Sequence, residues 1–123
     1  MENLLIIDRQ PLLRLGLRLL VASHLPTVNF FEANCRYTLP ESYSKKNISM
    51  ILLGFDPDRE DVNKADVVRI QKQFPTTRLI VYAGCLSEDK IKSLLSLGIY
   101  AFLSKCAPVE QIIECLQKSE DAV

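Results

Sequence analysis

The residues just past each short apolar run are Asp8 and Arg9, then Gly54 and Asp56, then Ala83 to Cys85, then Ser104, Lys105 and Cys106. If those runs are strands alternating with helices, their C-terminal ends share one rim, and these side chains converge there. A carboxylate at the mouth of such a sheet accepts a phosphoryl group or holds a metal. Position 54, at the end of Met50-Ile51-Leu52-Leu53, is a glycine, which does neither. Asp56 stands two residues further on, so on an extended strand it shares a face with Gly54, although Asp56-Pro57-Asp58 reads as a turn.

The cysteines Cys35, Cys85, Cys106 and Cys115 form no CxxC pair, and His24 is distant from all of them in sequence. No zinc site is expected from that spacing, and reduced thiols are the simpler reading. Cys85 and Cys106 follow the fourth and fifth strands, which leaves a redox pair as an alternative; disulfide formation needs a narrow Cα separation.

The elements that must position this rim read as follows. Leu4-Leu5-Ile6-Ile7 is a continuous apolar run of the kind buried on both faces in a parallel sheet. Pro11 suits the first turn of a helix that runs to about His24 and is stopped by Pro26. Val28 to Phe31 is a second strand nearer an edge, and residues 38–47 carry only a weak helical or loop signal. Ile48 to Phe55 is a third strand. A helix is predicted from Arg59 to Phe74, with Val62, Ala65, Val68 or Val67, and Ile70 on its apolar face. Leu79 to Tyr82 is a fourth strand, Ser87 an N-cap and Gly98 a C′ glycine. Ile99 to Leu103 is a fifth strand, and Pro108 to Lys118 a last helix with Val109, Ile112, Ile113 and Leu116 inward. Right-handed crossovers place helices on both sheet faces, so the expected fold is α/β, a doubly wound five-stranded parallel sheet. Residues 1–118 form one domain, and 119–123 read as a linker or tail.

Composition narrows the function. The 123 residues carry 15 basic and 15 acidic side chains, so the chain has no electrostatic case for binding nucleic acid by itself. No apolar stretch is long enough to span a bilayer, and Met1-Glu2-Asn3 lacks the basic region of a signal peptide. The expected location is the cytoplasm, with no membrane partner.

The set Asp8, Gly54, Ala83 and Lys105, with the phrases "LLIIDRQPLLRLGLRLLV" and "LSLGIYAFLSK", resembles a bacterial response-regulator receiver domain over essentially the whole chain. The first helix is most similar to the NarL/LuxR-type subfamily, whose receivers precede a helix-turn-helix DNA-binding domain. The resemblance implies a flavodoxin/CheY-like fold and a set of working positions. Of the two adjacent acids that hold Mg²⁺, Asp8 matches the first and Arg9 replaces the second. The phosphoacceptor falls on Gly54 and the hydroxyl residue on Ala83; Lys105 matches the phosphate-pairing lysine and Phe102 the switch aromatic. Three of five working positions thus hold residues without the needed groups, which implies a degenerate receiver that is no enzyme, with no metal and no cofactor. Two readings stand for Arg9: it takes the vacated metal site beside Asp8, or it points to solvent. Lys105 pairs with Asp8 in the modest reading. Asp56 as a displaced acceptor is disfavoured, because Arg9 and Ala83 still remove the metal and the hydroxyl.

The first helix carries two apolar stripes. Leu13, Leu17, Leu20 and Val21 can face the sheet, which leaves Leu12, Leu15 and Leu19 as a second stripe. Either this stripe is an association surface or the last helix covers it. The resemblance favours dimerisation through the first and last helices, with Gln111, Cys115, Lys118 and Ser119 on the last helix's half. The expected function is a phosphorylation-independent dimerisation module at the N-terminal end of a helix-turn-helix regulator, with DNA contacted only by that separate domain. Two alternatives are a pocket for a small anion near Lys105 and Arg9, and a stand-alone protein-interaction module.

Overall fold

The computed structural model describes residues 2–37, 39–56 and 62–121, without the side chains of residues 45 and 119–121. Among the described residues, five strands alternate with five helices: β1 (Asn3–Ile7), α1 (Pro11–His24), β2 (Asn29–Ala33), α2 (Glu41–Lys45), β3 (Met50–Gly54), α3 (Lys64–Gln73), β4 (Arg78–Ala83), α4 (Glu88–Ser96), β5 (Ala101–Ser104) and α5 (Val109–Asp121). All strand pairs are parallel, in the order β2-β1-β3-β4-β5. β1 and β3 occupy interior positions and are buried almost throughout, whereas β2 lies at an edge and is half-exposed, as its weaker hydropathy requires.

Alternation along the strands divides the core into two halves. Leu4, Ile6, Met50, Leu52, Ile80, Tyr82 and Leu103 face α1 and α5, meeting Leu17, Val21, Ile112 and Leu116. Leu5, Ile7, Ile51, Leu53, Leu79 and Val81 face the other way, toward Val67 and Ile70 of α3, Phe74 just past its end and Leu94 of α4. The fold is therefore the doubly wound α/β sheet that the strand–helix alternation calls for.

Several boundaries differ from the sequence reading. Val62 and Asn63 are not helical; α3 begins at Lys64 because the Asn63 side chain caps it, accepting from the Ala65 amide at 2.8 Å. Its buried residues are Asp66, Val67 and Ile70, while Ala65 is exposed, so the inward face is rotated from the predicted one. The predicted start at Arg59 and the turn residues Pro57 and Asp58 lie outside the described residues. Val109 is 45% exposed rather than inward, because it opens α5 at the end of the bundle. α5 continues to Asp121, three residues into the expected tail. Ser87 caps α4 through the Lys90 amide, and Gly98 ends that helical segment with φ +93°, a conformation that suits glycine.

Glu2 and Arg78 join the entrances of β1 and β4 by an ion pair of 2.8 Å. Burial pushes the Glu2 carboxyl up, but hydrogen bonding to Ser49 and Arg78 and the Arg78 charge outweigh it and hold it below 4.5. A lowered carboxyl contributes stability above its unfolded value that is lost as pH falls through the folded one. Glu2→Gln is expected to lose about 1 kcal/mol at neutral pH, a difference that closes as pH falls through the lowered folded value of the carboxyl, as urea unfolding would show.

Candidate functional site

The rim over the C-terminal ends of β1, β3, β4 and β5 collects the expected residues. Asp8 follows β1 and is 3% exposed. Its Oδ1 accepts from the Gln10 amide at 2.8 Å, an Asx-type turn that sets the chain into α1, where Gln10 itself makes no side-chain cap and Pro11 takes the first turn. The Asp8 carbonyl accepts from Arg14 Nη1, fastening the same turn to the helix that follows.

Lys105 reaches this turn from the far side of the sheet. Its amide donates to the Ala83 carbonyl at 2.6 Å, and Nζ donates to Asp8 Oδ2 at 2.8 Å and to Gln10 Oε1 at 2.9 Å. Both charged side chains are nearly buried, 8% and 3% exposed, so the pair depends on its geometry and its added hydrogen bonds. The ammonium also lies 5.6 Å from the centroid of the Tyr82 ring. Burial, and after it the Asp8 charge, push the Tyr82 hydroxyl above its ordinary value.

Gly54 completes the arrangement by what it lacks. A Cβ built there would fall on Asp8 Oδ2 and lie 2.7 Å from Cγ. Its φ is not in the positive range, so backbone conformation does not call for glycine here. The space of a side chain at position 54 is filled by the carboxylate of Asp8.

Asp8, Gly54 and Lys105 are thus brought together, and Ala83 adjoins them through its carbonyl. Arg9 is exposed, and the ion partner of Asp8 is Lys105, so the reading in which Arg9 pairs with Asp8 gives way to the solvent-facing one. Arg9 lines a cleft of about 400 Å³ with Asp8, Asn34, Arg36, Tyr37 and Gly54. Asp56 is half-buried beside Arg9, Gln10, Pro11 and Leu12 in an adjoining groove. Phe102 is half-buried and packs on the α3/α4 half of the core. Cys85 and Cys106 are exposed free thiols. Among the described residues no three His, Cys, Asp or Glu side chains gather as metal ligands, and no helix is long and apolar enough to cross a membrane.

Away from the rim, Leu12, Leu15 and Leu19 of α1 are 82%, 50% and 62% exposed; α5 does not cover them. Leu17 and Val21 are buried and Leu13 and Leu20 half-buried, the two-stripe division read from the sequence. On α5, Gln111 is exposed, Cys115 is half-buried with its thiol pushed up chiefly by burial, and Lys118 pairs with Glu114 at 2.9 Å. The Ser119 side chain lies outside the described residues.

Sequence reasoning missed a second ion cluster. Asp66, in the first turn of α3, accepts from Arg36 Nε and from the Tyr37 hydroxyl, each at 2.9 Å, and Arg69 Nη2 lies at 3.5 Å. The Arg36 guanidinium also stacks 4.6 Å from the Phe55 ring. An acid at a helix N-terminus after an Asn cap was the available signal; the partner thirty residues earlier was not.

No family model matches the sequence, and no curated protein matches it significantly. Solved structures do. RcsB from Salmonella enterica serovar Typhimurium, solved bound to promoter rprA in the presence of the phosphomimetic BeF3⁻, superposes with a TM-score of 0.78 at 18% identity, over 94% of this chain and 66% of that one. This chain therefore spans just under two thirds of that protein's length. A LuxR family DNA-binding response regulator from Silicibacter pomeroyi gives 0.84 at 20% identity, over 99% and 93% of the two chains. The signal receiver domain of a DNA-binding response regulator from Colwellia psychrerythraea gives 0.79 at 13%, over 98% and 99%. With the strand order and the Asp8–Lys105 rim, these likenesses establish that the chain has the fold of a response-regulator receiver domain.

Proposed function

We propose that this chain is a regulatory, non-catalytic receiver-type module that works without phosphorylation. It dimerises through α1 and α5 and serves in the cytoplasm as the N-terminal part of a helix-turn-helix transcriptional regulator, whose separate domain contacts DNA. The observation that carries this reading is the filled seat at position 54: the carboxylate that answers Lys105 comes from Asp8 just past β1, and a Cβ on β3 beside it would fall on Asp8 Oδ2. Phosphoryl transfer needs an acceptor oxygen, a metal held by several oxygens and a donor to the transferred group. Gly54 supplies no acceptor oxygen, Arg9 no metal ligand and Ala83 no hydroxyl, and the donor that remains, Lys105, is engaged by Asp8. An anion already sits against Lys105, which supports a domain whose state does not wait for phosphate.

The exposed row Leu12, Leu15 and Leu19 supports the dimer. Its remaining exposure amounts to about two whole leucine side chains per copy, so a two-fold contact gains roughly 8 kcal/mol gross. That is comparable with the ~4–15 kcal/mol opposing association, so α5 must contribute to the contact. Sedimentation velocity across a concentration series, with and without Mg²⁺ and beryllofluoride, tests the proposal. A concentration-dependent dimer indifferent to both additives is expected; a monomer driven to dimer by them would overturn phosphate independence.

A further inference from the structure

Gly16 is the residue of α1 that the domain's own packing does not explain. It lies in the middle of a 14-residue helix, in helical conformation, where glycine weakens folding relative to alanine. A Cβ added there meets nothing within 4 Å, so among the described residues no neighbour requires its absence. Leu12, Leu15, Gly16 and Leu19 stand at i, i+3, i+4 and i+7, which puts the glycine at the margin of the exposed leucine face, against Leu12 and Leu19 on one side and the half-buried Leu13 and Leu20 on the other. A glycine flanked by leucines is a notch in an apolar helix face, and what a notch admits is the close approach of another backbone.

Resting on the dimer reading above, we infer that Gly16 is the point at which α1 of one copy crosses α1 of a second copy. The occupant is a second copy because the face is self-complementary. At a two-fold axis, Gly16 meets its own equivalent, and the leucines on either side pack past one another. Charge agrees. Between Pro11 and His24 the chain has Arg14 and Arg18 and no acid, whereas the first turns of α5 expose Glu110, and Glu114 in its pair with Lys118. α1 and α5 pack side by side within one copy, so beyond the crossing the basic helix of each copy runs toward the acidic helix of the other. Arg18, bonded to Glu32 yet 55% exposed, is the cation best placed to reach across. Both copies satisfy this pairing at once, which an unrelated partner would have to match by accident.

Gly16→Ala separates this role from every intrachain one, because its two effects have opposite signs. In the monomer alanine is the better helix former and clashes with nothing, so the folding equilibrium constant rises roughly threefold, read by urea unfolding at low concentration. In the dimer two methyl groups meet at the axis, and the dissociation constant rises about tenfold, read by sedimentation velocity. A wild-type dimer whose dissociation is unchanged or tightened in Gly16→Ala overturns the crossing point alone. A wild-type chain that stays monomeric at every concentration overturns the dimer reading and this inference with it.

Discussion

Leu15→Glu and Leu19→Glu leave the domain folded and raise the dimer dissociation constant by about three orders of magnitude. Both leucines are at least half exposed in the single chain, so their loss exposes no new core, and surface substitutions of this kind shift folding by within about 0.5 kcal/mol. A two-fold interface repeats each change, so about 2 kcal/mol of lost burial and added carboxylate desolvation per copy becomes about 4 kcal/mol per dimer. Leu17→Glu is the contrasting variant. That residue is 3% exposed, packed between α1 and the sheet, and a charge there abolishes folding. Circular dichroism and sedimentation velocity read the two effects separately. Should Leu15→Glu unfold instead, the leucine row belongs to the core and the interface argument fails.

Most elements of this fold were legible because the interior strands are short apolar runs and the long helices keep an amphipathic spacing, whereas β2 and α2 gave weaker signals. α1 shows how far such reading goes: its length and its division into buried and exposed leucines follow from periodicity between Pro11 and Pro26. α3 shows where it stops. Asn63 outcompetes the apolar Val62 for the helix start, because satisfying an orphan amide decides a boundary that hydropathy does not. The rim was legible in membership, since parallel strands must end together, and the Lys105–Asp8 pair was one of the readings open for it, beside a pairing of Asp8 with Arg9. Which cation meets Asp8 depends on a side chain ninety-seven residues away reaching over Tyr82, and no local pattern separates Lys105 from the adjacent Arg9. The Arg36–Asp66 cluster stayed hidden for the same reason: one partner follows an edge strand and the other opens a helix across the sheet end.

Gly54→Ala is expected to destabilise the domain by about 3 kcal/mol or more, an unusual result for the smallest possible side-chain addition. The new Cβ claims the position of Asp8 Oδ2, so the carboxylate must swing off Lys105 and leave a nearly buried ammonium with only Gln10. Gly54→Asp brings its own carboxylate to Lys105, yet sets it against Asp8, and like charges around one cation do not both remain favourable. Neither variant gains a response to Mg²⁺ and beryllofluoride, because Arg9 and Ala83 still withhold the second acid and the hydroxyl. The decisive comparison is a double-mutant cycle in urea. With Asp8→Ala in place, Oδ2 and Cγ are gone and only the Cβ of residue 8 remains, 3.0 Å from the added methyl, so Gly54→Ala costs far less in the Asp8→Ala background than in the wild type. Asp8→Ala/Gly54→Asp recovers stability by returning an anion to Lys105 from β3 instead of β1. If Gly54→Ala matches the wild type, Asp8 yields its place without loss, and the seat at position 54 is open rather than filled. A cycle with strong coupling would instead tie the missing acceptor to the presence of Asp8 in its room, so that a glycine on β3 and a paired aspartate on β1 are one structural choice.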